Sequence, residues 1–358
     1  MDNPNLRGSP LPVDLIRTFA IVLVILLHAS EESFPITAIV NQDVVVRWWS
    51  MTVYNSLSRE CVPLFVMLSG ALLLQSYKIE EPLKVFFKKR LLRIGLPWIF
   101  WGATYFAWDY LVKNNPFTLN SIAQGIATGP YYQFWFLYML LGLYLVTPLL
   151  RVLVAHANKS VLRYFLLLWS IGSAVVPFVN LFMPIGLSSN VFLFTGWIGY
   201  FLLGLYLLDT QVRAKFLYII LIIGYIWTVI GTYLITYFVG GQTQYFFYGF
   251  LTANVILVST ALFLLFKNVP SNFIQEKSPT TNRFLHFISQ CSLAIFLLHV
   301  IILESLQNGY FGFRISIIPM NPIYEIPLIT AMTFLICLAI LYPFSKISFL
   351  RKIIGITD

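Results

Sequence analysis

The sequence predicts an all-α integral membrane protein: a polytopic bundle of about ten transmembrane helices with both termini cytoplasmic. Three observations predict it. The 358 residues are 59% hydrophobic and 10% charged, against about 45–50% and about 25% in a soluble domain. With a mean hydropathy of +0.81, the apolar residues gather in runs near the ~20 residues that a spanning helix needs. Basic residues fall between those runs with a one-sided bias.

The runs lie at about 13–30, 58–77, 91–112, 131–150, 161–182, 190–208, 216–238, 245–266, 284–306 and 323–344. Helix is the expected form, because lipid offers no partner to an open backbone. The first run has no small-residue cleavage site behind it. His28 and the pair Glu31 and Glu32 follow instead, so it reads as an uncleaved span. Segment 43–57 is less apolar, either an amphipathic helix at the membrane face or an extended start to the second span. Trp48, Trp49, Tyr77, Trp98, Tyr131 and Tyr132 sit near run ends, as interfacial aromatics do. The longest polar stretches, about 112–130 and 267–283, are loop-sized. Residues 1–358 therefore read as a single membrane domain, with no extra soluble catalytic domain at either end.

Ten crossings from a cytoplasmic N-terminus put eighteen of the 23 lysines and arginines inside and four outside, with Arg17 within the first span. Such asymmetry favours both termini inside and an even number of crossings. The net charge of +9 then reports membrane orientation, and nucleic acid is not an expected partner. Cys61, Cys291 and Cys337 form no CxxC or Cys/His spacing. No Walker A loop, GxSxG elbow or HExxH helix occurs, nor a second carboxylate cluster for a metal. The sequence supports neither an ATP-driven pump nor a metallohydrolase, and no metal is expected.

Ionisable residues inside spans are costly and mark function by default. The first span holds Asp14, Arg17 and His28. Asp14 and Arg17 are three apart and can meet on one helix face. Arg17 and His28 are eleven apart, about three full turns, so they share a stripe with roughly 16 Å between them. Glu31 and Glu32 follow His28 at three and four residues, where either carboxylate can orient its imidazole. In the plainer reading Arg17 snorkels to the interface and His28 marks the end of the span.

Arg59 approaches the membrane from the side poor in cations. It either anchors itself to Glu60, Glu31 or Glu32, or binds a polar substrate group. Ser69 and Gly70, deeper in the second span, suit close helix packing. KVFFKKRLLRIGLPWIFW opens the third span and carries Lys84, Lys88, Lys89, Arg90 and Arg93, the densest basic cluster in the chain. It suits anionic lipid and equally the phosphates of a nucleotide-like cofactor. His299 lies mid-membrane in CSLAIFLLHVIILE, a core histidine or a second functional one. His156 and His286 fall in expected cytoplasmic loops and look incidental.

The string DLIRTFAIVLVILLH, Asp14 to His28, resembles the first-span signature of the membrane acyltransferase-3 family, an Arg and a His with ten residues between them. The resemblance continues through RECVPLFVMLSG (59–70), KKRLLRIGLPW (88–98), WFLYMLLGLYLVTPLL (135–150), GYFLLGLYL (199–207) and SLAIFLLH (292–299). Two positions depart from the pattern: Gln133 where members often carry histidine, and Phe296 where they often carry tyrosine.

The resemblance implies an O-acyltransferase of the polysaccharide or glycoconjugate O-acetyltransferase type, in the inner (plasma) membrane of a bacterial cell. Its donor would be cytoplasmic acetyl-CoA or another acyl-CoA. The acceptor would be a hydroxyl of an extracytoplasmic or lipid-linked glycan. Besides these and the lipid bilayer, a homodimer or a separate extracytoplasmic partner is left open. His28, Arg17 and Asp14 are then the catalytic candidates. Arg59, Glu31, Glu32, Trp135 and His299 are those for substrate, and Lys88, Lys89, Arg90 and Arg93 those for acyl-CoA. His28 would act as general base or be transiently acylated. The physics equally suits a non-enzymatic transporter or saccharide flippase, though no repeated halves are visible.

Overall fold

The computed structural model describes residues 11–31, 42–116, 118–183, 196–239, 244–270, 278–310, 312 and 321–357. Among these, all regular structure is helical. The helices are α1 (Val13–Ala29), α2 (Gln42–Ser56), α3 (Cys61–Leu73), α4 (Leu83–Leu111), α5 (Leu119–Thr128), α6 (Trp135–His156) and α7 (Lys159–Ser170). After them come α8 (Val176–Phe182), α9 (Trp197–Tyr206), α10 (Ala214–Val239), α11 (Ala253–Lys267), α12 (Pro279–Asn308), α13 (Pro322–Phe344) and α14 (Ser348–Ile354).

Seven described helical segments are long and apolar enough to cross a membrane: Val45–Leu73, Leu119–His156, Lys159–Phe182, Ala214–Phe238, Phe246–Lys267, Pro279–Asn308 and Pro322–Phe344. The other three runs read from the sequence coincide with α1, of 17 residues, the basic-ended α4, and the ten-residue α9. Helix α4 begins well before its apolar run. Pro82 precedes its first turn, and the basic side chains that follow favour helix as such. Segment 43–57 forms a helix of its own, separated from α3 by a turn. Leu91, Ile99, Leu145, Leu149, Ile222 and Ile226 lie exposed on α4, α6 and α10. So much apolar surface would be a liability in water. The protein is a membrane protein, and these side chains face lipid.

Helix α1 packs against α12, α3 and α13 and buries Ile16, Ala20, Ile21, Val24 and Ile25 almost completely. Lipid tails are as apolar as leucine, so close van der Waals packing must hold such helices together. The α3–α9 crossing is the tightest case. A Cβ added at Gly70 would stand 1.8 Å from the carbonyl oxygen of Phe201, and one at Gly204 would stand 1.9 Å from that of Met67. Helix α14 docks on α4, where Trp101 Nε1 donates to the Ile354 carbonyl at 3.0 Å. Asp14 and Thr357 both bond to the first part of α12. These two residues therefore share one end of the bundle.

Candidate active site

The C-terminal end of α1 carries the most organised polar group. His28 Nδ1 lies 2.9 Å from Glu31 Oε2. Glu31, beyond the end of α1, is held below the usual carboxylate range. Burial alone would raise it, but the hydrogen bond from His28 and the positive charges of His28 and Arg59 outweigh that. An ionised carboxylate only accepts, so Nδ1 carries the proton and a neutral His28 keeps its lone pair on Nε2. The imidazole stacks on His299 with ring centroids 5.3 Å apart, and meets Tyr132 edge-on at 5.2 Å. His299 is fully buried. Its Nδ1 donates to the Phe296 carbonyl at 2.7 Å, which fixes its own tautomer.

Arg59 arrives at the same place from the turn between α2 and α3. Its Nε donates to Asn55 Oδ1 at 2.7 Å, and its Nη2 bonds the same oxygen. Nη2 also stands 3.7 Å from Glu31 Oε1. Asn55 Nδ2 in turn donates to Ser30 Oγ at 3.3 Å. The guanidinium lies over the Tyr248 ring, 4.6 Å from its centroid. A cavity of about 230 Å³ opens here, with His28, Glu31, Arg59, Tyr132, Gln133 and Trp135 in its wall. Trp135 and Phe250 form its aromatic side, with ring centroids 5.9 Å apart, and Trp197 packs on both at 5.6 Å. Of the expected substrate residues, Glu32 lies outside the described residues.

A second, smaller cavity of about 80 Å³ lies toward the other end of α1. Arg17 and Arg93 both line it, with Ser69, Tyr144 and Ser292. Two guanidinium groups from α1 and α4 thus converge on one space. Phe296 lines both cavities.

The basic cluster of α4 does not act as one group. Arg93 faces the cavity. Arg90 lies over the rings of Phe86 and Tyr144, 5.5 and 5.6 Å from their centroids. Lys89 Nζ bonds Glu81 Oε1 at 3.0 Å, and Lys88 is exposed. Glu81 also accepts from Arg151, a buried residue of α6, at 3.1 Å. Arg151 continues to the Leu73 carbonyl at 2.8 Å. That network ties together α3, α4 and α6.

One expected contact is corrected. Asp14 does not pair with Arg17; its Oδ2 meets His286 Nδ1 at 2.9 Å. Three residues advance a helix by about 300°, which leaves the two side chains roughly 60° apart. The offset turns Asp14 toward α12 and Arg17 toward the cavity. His286 lies in α12 and not in a loop, and Gln290 Nε2 stands 3.0 Å from its Nε2. Sequence reasoning also missed Asn55, Tyr132 and Glu81. Asn55 was within reach of it, since it precedes Arg59 by four residues, one helical turn.

The family model described as an acyltransferase domain matches residues 12–342. This chain belongs to the acyltransferase-3 family. It is a membrane acyltransferase, and the paired Arg17 and His28 of α1 fall within the matched region. Neither a curated protein nor a solved structure matches the chain.

Proposed function

We propose that this acyltransferase moves an acetyl group from cytoplasmic acetyl-CoA to a hydroxyl of an extracytoplasmic or lipid-linked glycan, across the bundle rather than on one side of it. The observation that carries the reading is the pair of cavities strung along α1. One is lined by Arg17 and Arg93, the other by His28, Glu31 and Arg59. Paired guanidinium groups suit the phosphates of a CoA donor. The orientation rests on the sequence, whose basic residues favour both termini inside. Arg17 and Arg93 then lie toward the cytoplasm and His28 toward the outside.

In this reading His28 Nε2 takes the proton of the acceptor hydroxyl as its oxygen attacks the thioester carbonyl. The new C–O bond forms, the C–S bond breaks, and the proton passes from His28 to the departing thiolate. Glu31 holds the imidazole in the required tautomer and stabilises it while charged, as the carboxylate of a catalytic dyad does. Arg59, fixed by Asn55 and Glu31, supplies positive charge beside the developing oxyanion.

Thiol release from acetyl-CoA by purified protein, with a panel of glycan acceptors, tests the reading. The expected result is protein-dependent release that falls about 1,000-fold or more in His28→Ala. Release untouched by that substitution would move the chemistry to another residue. No release and no acyl-CoA binding would remove acyl-CoA as the donor.

A further inference from the structure

The two cavities have one conspicuous side chain in common. Phe296 lines the Arg17–Arg93 space and also the His28–Arg59 space. Its ring packs 4.9 Å from that of Phe136, which lines the inner space as well. The two rings are only 5% and 6% exposed. Together they stand where an acyl-pantetheine arm would have to pass between the cavities.

The backbone behind this partition is held in place. The Phe296 carbonyl accepts from His299, whose ring stacks on His28. Motion therefore falls to the side chain, whose rotamers are separated by small barriers compared with shifting a packed helix. Phenylalanine has no hydroxyl, so the barrier it presents is one of size alone. The outer cavity, about 230 Å³, is smaller than the roughly 300–1,000 Å³ of common ligand pockets.

We propose that Phe296 is the specificity-determining partition between the two cavities, admitting short acyl groups to His28 and turning back longer ones. The inference rests on the function proposed above and adds which donors the site takes. An apolar wall discriminates by roughly 10- to 200-fold per methylene of misfit. Removing the ring should therefore change the order of donors.

The test uses the full-length protein and its His28-dependent thiol release from acetyl-, butyryl- and hexanoyl-CoA, with the acyl group passing to an added saccharide or to water. In Phe296→Ala the hexanoyl-to-acetyl ratio of kcat/KM should rise at least about 10-fold. An active wild type with an unchanged ratio in Phe296→Ala overturns the partition and leaves the proposed function standing. A wild type that releases no thiol from any of the three donors overturns both. If Phe296→Ala does not fold, Phe296→Leu and Phe136→Leu give the same readout. A smaller shift in the same direction is expected, and no shift in either overturns the inference.

Discussion

The two ends of α1 are assembled differently. At the His28 end the decisive contacts are local: Glu31 three residues after His28, and Asn55 four before Arg59. At the Arg17 end nothing local decides the outcome. The inner cavity takes Arg17 from α1, Ser69 from α3, Arg93 from α4, Tyr144 from α6 and Ser292 from α12. A site made of near neighbours has its geometry written into helical spacing. A site made of five helices depends on how each helix is rotated in the bundle. The first should therefore respond to subtle chemical changes in one side chain. The second should respond to which of several similar cations is removed.

Glu31→Gln is the sharpest probe of the local end. It keeps the shape of the side chain and removes the charge that fixes His28. An amide can accept at Nδ1 but cannot stabilise an imidazolium. The expected loss in kcat is roughly 100-fold, with KM for acetyl-CoA within about two-fold. An unchanged kcat in thiol-release assays would mean that His28 works without its partner. The comparison between the two ends would then lose its basis.

The inner end is probed by contrast. Arg93→Ala should raise KM for acetyl-CoA roughly 10-fold, because Arg93 lines the cavity with Arg17. Lys88→Ala should leave KM within about two-fold, because Lys88 is exposed. Equal effects of the two substitutions would mean that the whole basic cluster acts as one diffuse field. The sequence reading groups Lys88, Lys89, Arg90 and Arg93 in that way.

These contrasts match what could be read beforehand. Amphipathic spacing and hydropathy are properties of single segments, so the helices were legible in the sequence, and so was a carboxylate beside His28, though spacing alone left Glu31 and Glu32 equally open. The stacking of His299 on His28 was not, because it depends on α1 and α12 lying side by side. Asp14 shows the same limit within a single helix. Its spacing from Arg17 permits a pair, but a partner on another helix was closer to hand in His286. The role of Glu81 was equally hidden. Nothing in KIEEPLKVFFKKR indicates that Arg151, 70 residues away, folds back onto that carboxylate.

Glu81 gives the smallest expected effect, and it separates scaffold from site within the basic cluster. The carboxyl lies in the turn between α3 and α4. Burial alone would raise it, but its bonds to Lys89 and Arg151 hold it below the usual carboxylate range. Its stabilisation is therefore fully present above the ordinary glutamate value of about 4.3. It is lost as pH falls through the depressed folded value. Glu81→Gln should cost about 1 kcal/mol at neutral pH, read as a lowered midpoint of thermal unfolding in detergent. The gap between variant and wild type should close as the pH is taken below about 4. KM for acetyl-CoA should stay unchanged, since Lys89 bonds Glu81 while Arg93 lines the cavity proposed for the donor. A variant that kept its stability but lost donor affinity would reverse that division and make Glu81 and Lys89 part of the inner binding site.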